Sequence, residues 1–282
     1  MTVIEKGAAR LVLAPEAGGA VASFTIGGRD VMRPTPAGAS DALETASFPL
    51  VPFCNRIPNG RFTFDGREIV LPPNLGDHPH ALHGQGWRGA WTVERSEGDT
   101  VVLAYEHATD AWPWAYRAEQ AFTVDETGFR VTLSVTNTST SAMPAGLGFH
   151  PYFPRRPGEV LTAANDGVWM IDADVLPTLH HPGVWDLDLA AGAAVEGLGL
   201  IDHCFTGWDQ RAVLAAPGAP DTVITASPDS RWLHVYIPPG QAYYCVEPCA
   251  SRPNPFGEGE TGMVTLPPGE SRSIWMQVSS RA

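Results

Sequence analysis

The sequence predicts an all-β fold, a large antiparallel β-sandwich with only minor helix, on three observations. Short runs rich in β-branched and aromatic residues alternate between apolar and polar residues, which is the period of a half-buried strand. No long window keeps apolar residues at i, i+3, i+4 and i+7 with caps at its ends, so little helix is expected. The 29 glycines and 26 prolines are spread along the 282 residues without a period, as turn residues between strands are.

The clearest predicted strand runs from Phe129 to Ser139. Val131, Leu133 and Val135 fall on one face of it, with polar residues between them. Similar β-rich runs are TVVLAYEHA, YRAEQAFTV, RWLHVYIPP, AYYCVEP and RSIWMQVSS. The segment FTFDGREIVLP predicts a hairpin, with the turn at the Asp-Gly pair. Many short strands at near-regular spacing are typical of a sandwich or a barrel.

Length and charge limit the organisation and the partners. All-β sandwiches of this length are commonly one domain, and the chain has no internal repeat or linker, so one domain is predicted over residues 1–282. The net charge of −13 argues against nucleic acid and anionic membranes as partners. The first apolar run is short and is broken by Pro15 and Glu16, so we expect no signal peptide and a cytoplasmic location.

The four cysteines, Cys54, Cys204, Cys245 and Cys249, form no CxxC pair and no dense framework. Together with the absence of a secretion signal, this predicts reduced, buried thiols. A zinc site on Cys245, Cys249 and His203 is disfavoured by the spacing. We therefore predict no metal and no other cofactor.

The segment NRIPNGRF places Asn55 and Arg56 directly after the apolar run FPLVPFC. An arginine at such a position is either half of a structural ion pair or a fork of donors for substrate oxygens. Further along, in HPHALHGQGWRGAW, His78 and His80 are expected to be ordinary loop residues.

His83 in the same segment is a stronger candidate for a functional residue. It precedes Gly84 and Gly86, which would let the backbone approach a ligand closely. Trp87 follows and could stack on the apolar face of a sugar. The pattern favours a ligand-binding loop.

Two further polar residues stand in apolar surroundings. His150 lies in AGLGFHPYFPR, where an imidazole is either a hydrogen-bonded core residue or an acid or base tuned near neutral pH. Glu247 ends the apolar strand AYYCV and is either a paired structural acid or a base with a raised pKa. The chain has no GxSxG, P-loop or HExxH motif, so nucleophilic and zinc hydrolases are disfavoured.

Five motifs, NRIPNGRF, LHGQGWRGAW, GFHPYF, IDHCF and CVEP, resemble those of the aldose 1-epimerases (galactose mutarotases) in their order and spacing. The resemblance runs from about Pro49 to Glu247. It implies the large sandwich called a supersandwich, a monosaccharide substrate and no cofactor. The chain departs from many relatives at Gln85, where they have glycine, at Cys249, where they have glutamine, and at Pro154, where they have asparagine.

The resemblance also implies residue roles. Glu247 resembles the base that takes the proton of the anomeric hydroxyl, and His150 resembles the acid that protonates the ring oxygen. His83 and Arg56 resemble residues that bind sugar hydroxyls and polarise the ring oxygen, and Asp202 resembles a carboxylate that holds hydroxyls. The remaining predicted substrate-binding residues are Asn55, Trp87 and Tyr152.

Other functions remain open at this stage. A hexose-6-phosphate 1-epimerase would need cations for the phosphate, and Arg155 and Arg156 lie just beyond His150. A non-catalytic carbohydrate-binding module is a second alternative, although it would not need the acid–base pair. Sugar selectivity is expected to lie between Leu161 and Leu200, a segment that matches no motif. A monomer and a homodimer are both compatible with the sequence.

Overall fold

The structure is a computed structural model and describes residues 1–281. In the first half of the chain the strands are β1 (Thr2–Lys6), β2 (Ala9–Ala14), β3 (Ala20–Ile26), β4 (Arg29–Asp30), β5 (Ser47–Leu50), β6 (Arg56–Ile57), β7 (Arg61–Phe64), β8 (Arg67–Val70), β9 (Ala81–Leu82), β10 (Thr92–Glu97), β11 (Thr100–His107), β12 (Tyr116–Val124) and β13 (Gly128–Asn137). In the second half they are β14 (Met143–Ala145), β15 (Gly148–Pro154), β16 (Val160–Ala163), β17 (Gly167–Ile171), β18 (Pro177–Pro182), β19 (Ala193–Ala194), β20 (Ile201–Thr206), β21 (Arg211–Ala215), β22 (Asp221–Ala226), β23 (Trp232–Ile237), β24 (Tyr243–Cys249), β25 (Val264–Leu266) and β26 (Ser271–Arg281).

Helix is limited, over residues 1–281, to three single 3-10 turns: Ala42–Glu44, Pro58–Gly60 and Gly86–Arg88. The prediction of minor helix is confirmed. Within the same residues, no helix has the length and apolar character needed to cross a membrane.

Two large sheets carry the fold, and their neighbouring strands pair antiparallel. The first has eleven strands, in the order β1-β2-β3-β5-β15-β24-β23-β20-β17-β18, with β4 paired to β3. The second has nine, in the order β10-β11-β12-β13-β26-β22-β21-β16-β19. Neighbours such as β15 and β24 are far apart in the chain, so long-range pairing brings distant motifs together.

The two sheets pack face to face around one hydrophobic core. Leu11 and Phe24 of the first sheet and Phe129 and Leu133 of the second are at most 1% exposed and belong to the same buried cluster. The rings of Phe24 and Phe129 are 4.9 Å apart and meet edge to face. The predicted antiparallel sandwich is therefore confirmed.

Strand alternation gives the larger sheet a second, polar-lined face. In β15, Phe149 and Phe153 point into the core between the sheets. The residues between and beside them, His150 and Tyr152, must point to the opposite face, because successive side chains of a strand alternate. The same period directs Glu247 of β24 away from the core.

The predicted hairpin is confirmed as β7 paired with β8. Its turn residues, Asp65 and Gly66, have φ angles of 49° and 71°, as a type I′ turn requires. This hairpin is an excursion between β6 and β9, which pair with each other and place Arg56 opposite Leu82. The residues on either side of the hairpin are thereby brought back together.

Candidate active site

A cavity of about 270 Å³ opens on the outward face of the larger sheet. This volume lies near the lower end of small-molecule sites, which suits a ligand the size of one sugar ring. Its lining residues are Leu43, Asn55, Arg56, Leu75, Leu82, His83, His150, Tyr152, Asp202, His234, Tyr236, Tyr243 and Glu247. They come from the adjacent strands β15, β24, β23 and β20 and from the β6–β9 pair, apart from Leu43 of the first 3-10 turn and three loop residues, Asn55, Leu75 and His83.

His150 and Glu247 form a buried pair at the base of this cavity. The Nε2 atom of His150 lies 3.4 Å from Oε1 of Glu247. The imidazole stacks on the rings of Phe48 and Tyr152, with centroids at 4.6 and 4.7 Å. Neither Nδ1 of His150 nor Oε2 of Glu247 has a hydrogen-bond partner among the described residues. Unpaired polar atoms of this kind are costly unless a ligand or water satisfies them.

Burial moves the pKa values of the pair in opposite directions. It lowers the pKa of His150 to about 3, assisted by the electrostatic influence of His234 and Arg33. Burial also raises the pKa of Glu247 well above its ordinary value, and the charge of Asp202 adds to this effect. The prediction that His150 titrates near neutral pH is therefore wrong. A proton shared by the two groups is therefore held on Glu247 in preference to His150.

His83 follows β9 and adopts a left-handed backbone conformation, with φ of 60°. The backbone N–H of Asn55 donates to its Nδ1 at 3.1 Å. Burial, together with His150 and Arg56, lowers the pKa of His83 well below its ordinary value, so the ring is neutral. Because Nδ1 accepts a hydrogen bond, the proton of the neutral ring is on Nε2. His83 therefore offers the cavity a hydrogen-bond donor.

Asp202 is held by two donors. Its Oδ2 accepts from the guanidinium of Arg56 at 3.0 Å, and its Oδ1 accepts from Nε2 of His234 at 2.6 Å. Burial alone would raise the pKa of Asp202, but the hydrogen bond from His234 and the charge of Arg56 outweigh it and lower the pKa to about 2. Asp202 is thus an oriented, ionised carboxylate on the cavity wall.

Arg56 is fixed on every side of its guanidinium. Besides Asp202, it donates from Nε to His78 at 3.3 Å and from Nη1 to the Asn55 side chain at 3.2 Å. The Asn55 oxygen also accepts the backbone N–H of Arg56 at 2.8 Å. The sequence left Arg56 as either half of a structural ion pair or a donor to substrate oxygens. The structure shows the ion pair, with Asp202, and places it in the cavity wall.

A sequence model of the family described as aldose 1-epimerase matches residues 1–279. The chain belongs to the aldose 1-epimerase family. The resemblance inferred from the five motifs is thereby confirmed.

Relatives within and around this family agree with the assignment. The uncharacterised protein YphB of Escherichia coli K12 is 32% identical over 249 residues, which cover 84% of this chain and 84% of that protein. The galactose mutarotase of Rattus norvegicus is 29% identical over 136 residues, 44% of this chain and 38% of that protein. A galactose mutarotase-like protein of Clostridium acetobutylicum has a crystal structure that matches with a TM-score of 0.88, at 20% identity and over 99% of this chain and 94% of its own. That last likeness concerns the fold.

Seven of the eight residues predicted for the epimerase site line the cavity: Glu247, His150, His83, Arg56, Asn55, Asp202 and Tyr152. The eighth, Trp87, is 1% exposed and is not among the lining residues. Its indole stacks on Phe48 and donates to the backbone oxygens of Leu82 and Gly84, both at 3.1 Å. Stacking of Trp87 on a sugar is therefore ruled out in this conformation, and the residue instead packs against Phe48 and His83.

The glycines beside Trp87 also serve packing within the protein. A Cβ on Gly84 would lie 2.1 Å from the backbone oxygen of Val51, and one on Gly86 would lie 2.3 Å from a Val51 methyl group. The close approach predicted for a ligand is made by the Val51 segment instead. It places the loop that carries His83 directly against the strand leading to Asn55.

Two further expectations are not supported by the geometry. Arg155 donates to the backbone of Pro238 at 3.0 Å, and Arg156 pairs with buried Glu159 at 3.1 Å. Neither arginine lines the cavity. The segment 161–200 contributes no lining residue either, so selectivity at the cavity wall must depend on other positions.

The sequence analysis missed His234, Tyr236, Tyr243 and the contact of His78 with Arg56. His234 and Tyr236 alternate with core residues of β23, a pattern already visible in RWLHVYIPP. A histidine on the outward face of a strand was a usable signal. Its hydrogen bond with Asp202 depends on the pairing of β23 with β20, which the local sequence does not indicate.

Cys245, Cys249 and His203, the zinc ligands that the spacing disfavoured, do not form a site in the structure. Cys245 and Cys249 are four strand residues apart, roughly 13 Å.

Proposed function

We propose that this protein is an aldose 1-epimerase that interconverts the α and β anomers of a free monosaccharide by acid–base ring opening and closure. The observation that carries the proposal is the His150–Glu247 pair, 3.4 Å apart and buried at the base of a sugar-sized cavity. Anomerisation needs one proton removed and one donated in the same encounter, and a pair that holds a single proton supplies both.

Glu247 serves as the base and His150 as the acid. The Glu247 carboxylate takes the proton of the anomeric hydroxyl while His150 gives its proton to the ring oxygen. The bond between C1 and the ring oxygen breaks, C1 becomes a carbonyl carbon, and the ring oxygen becomes a hydroxyl. Rotation about the C1–C2 bond presents the other carbonyl face, and closure on that face returns both protons to their starting groups.

Substrate binding prepares the pair for this reaction. In the empty cavity, the raised pKa of Glu247 and the lowered pKa of His150 favour a proton on Glu247. Hydroxyls of the sugar that donate to the unpartnered Oε2 of Glu247 favour its ionised form. The proton then passes to His150, which is in reach at 3.4 Å.

The remaining wall residues bind and orient the sugar. His83 donates from Nε2 to the ring oxygen or to a hydroxyl. Asp202, held by Arg56 and His234, accepts from hydroxyls on another side of the ring. Tyr152, Tyr236 and Tyr243 give the cavity flat apolar surfaces beside these polar groups. Such a mixture of apolar wall and few oriented polar groups is typical of small-molecule sites.

The alternatives have less support. The arginines that suggested a sugar phosphate are engaged elsewhere, and Arg56 is already paired with Asp202. A binding module has no need of a buried carboxylate that pairs with a histidine and leaves its second oxygen without a partner. We also propose that residues 1–282 act as one domain, as a monomer or homodimer in the cytoplasm, with a monosaccharide as partner.

The experiment is polarimetry of freshly dissolved α-D-glucose and α-D-galactose with and without the protein, with anomer exchange of glucose 6-phosphate followed by NMR in parallel. The proposal predicts faster equilibration of a free aldose over the buffer-catalysed rate. Acceleration of the phosphorylated sugar alone would replace it with the sugar-phosphate alternative. No acceleration of these sugars or of a wider aldose panel would contradict it.

A further inference from the structure

A thiol lies beside the proposed acid–base pair. Cys245 and Glu247 are two residues apart on β24 and therefore share a face of the strand. Cys245 is also paired directly opposite Tyr152 of β15, two residues beyond His150. The ligand atoms of His150, Cys245 and Glu247 all lie within 4.8 Å of one another, and all three side chains are buried.

We propose that His150, Cys245 and Glu247 form a binding site for a thiophilic divalent cation such as Zn²⁺, and that this cation and the sugar exclude each other. The exclusion rests on the proposed epimerase function, whereas the cation site does not. This revises the sequence-based expectation of no metal: the ion would act as an inhibitor and not as a catalytic cofactor.

The donor set fits such an ion. One imidazole nitrogen, one thiolate and one carboxylate are the three ligand types that Zn²⁺ prefers, and the softer thiolate disfavours Mg²⁺ and Ca²⁺. A dication bound by one thiolate and one carboxylate has no net charge, so the site can be buried without a counter-ion. Binding releases the Cys245 thiol proton, and any proton on Glu247, to solvent.

The geometry needs only a small adjustment. Tetrahedral ligands at about 2.1 and 2.3 Å from zinc lie roughly 3.6 Å from each other. The His150 and Glu247 atoms are already 3.4 Å apart, and no two ligand atoms of the trio are more than 4.8 Å apart. Side-chain movement of about 1 Å closes the site. Three protein ligands leave the fourth zinc position for water.

The functional consequence follows from the shared atoms. Coordination occupies the lone pairs that His150 and Glu247 use to hold and transfer the proton. An ion in this site therefore removes both the acid and the base at once. The cation reaches the pair through the cavity, by the same route as the sugar, because His150 and Glu247 both line it.

The test uses Co²⁺ as a spectroscopic probe and Zn²⁺ as a competitor, with the whole purified protein and no sugar. We expect one Co²⁺ per chain with a thiolate-to-cobalt charge-transfer band, which Zn²⁺ displaces. Cys245→Ser should abolish the band and weaken Zn²⁺ binding by at least about tenfold, since even outer-shell changes cost 10- to 100-fold. Cys204→Ser, a buried thiol outside the trio, is the matched control and should bind as the wild type does.

Glu247→Gln provides a second variant that keeps the side-chain volume, in case Cys245→Ser does not fold. It should also weaken binding by at least about tenfold. Absence of the band, or equal affinity in wild type and both variants, would overturn the site. Where the wild type accelerates anomerisation, Zn²⁺ should inhibit it reversibly, chelator should restore it, and Cys245→Ser should resist inhibition. Tight binding at the trio without inhibition would overturn the exclusion.

Discussion

The Nε2 atom of His150 lies 3.4 Å from Oε1 of Glu247, across the junction of strands β15 and β24. The two residues are 97 positions apart in the chain, and antiparallel pairing of their strands is what brings them together. Both are buried, and neither has a second partner on its remaining polar atom among residues 1–281. A proton can therefore pass between the two side chains, and Nδ1 of His150 and Oε2 of Glu247 are free to hydrogen-bond a substrate.

The first prediction concerns pH. In the proposed mechanism the pair acts when it holds one proton, so activity should fall as the pH drops through the His150 pKa of about 3, where both groups become protonated. It should fall again as the pH rises through the raised pKa of Glu247, where no acid remains. Between these limits kcat/KM should be flat, because it reports the free enzyme.

The measurement is kcat/KM for anomerisation across this range, with the uncatalysed rate subtracted at each pH and circular dichroism used to confirm folding. An acid limb near the ordinary histidine pKa of about 6.5 would contradict the shifted pair.

The second prediction concerns His234. Its hydrogen bond orients the Asp202 carboxylate, so His234→Gln should lower kcat/KM about 10- to 150-fold, the equivalent of about 1.5–3 kcal/mol for a hydrogen bond to a charged group. Most of the effect should be in KM, because the role proposed for Asp202 is to hold the sugar in the ground state and in the transition state alike. His181→Gln, on the exposed part of β18, is the control and should match the wild type. A loss confined to kcat would instead place His234 in the proton transfer.

The third prediction concerns Arg56. Arg56→Met leaves the buried carboxylate of Asp202 with one donor, so KM should rise and thermal stability should fall. Breaking a buried pair costs about 3–5 kcal/mol, and the Arg56 and Asp202 side chains are only 13% and 6% exposed. Arg61→Met is the control, because its pair with Glu68 is exposed and such pairs contribute about 0–1 kcal/mol.

Thermal denaturation and KM for the same aldose test both variants. If Arg56→Met left both quantities unchanged while Arg61→Met did not, the role assigned to the Asp202 cluster would be wrong.

Much of the fold and of the candidate site could be predicted from the period of the strands and from the order of the motifs. The alternation in β13 predicted its buried face, and the Asp65-Gly66 turn predicted the β7–β8 hairpin, because both depend on local backbone geometry. Of the eight site residues predicted with the help of the five motifs, seven line the cavity.

The errors come from long-range packing. Trp87 follows His83 closely, yet Phe48 of another strand covers it and makes it a core residue. Arg155 and Arg156 find partners at Pro238 and Glu159, which no local pattern relates to them. The low pKa of His150 is likewise a consequence of burial by several strands. The residues next to His150 in the sequence do not reveal this burial, and they led to a predicted pKa near neutral.

The most direct test of the central claim is the anomerisation rate of Glu247→Gln on an aldose that the wild type accelerates. The amide keeps the side-chain size and removes the base, so the rate above background should fall about 10²- to 10⁴-fold while the protein stays folded. Glu159→Gln is the matched control, because Glu159 is also buried but lies outside the cavity, and its activity per folded molecule should equal that of the wild type. A Glu247→Gln variant with near wild-type activity would show that Glu247 is not the base.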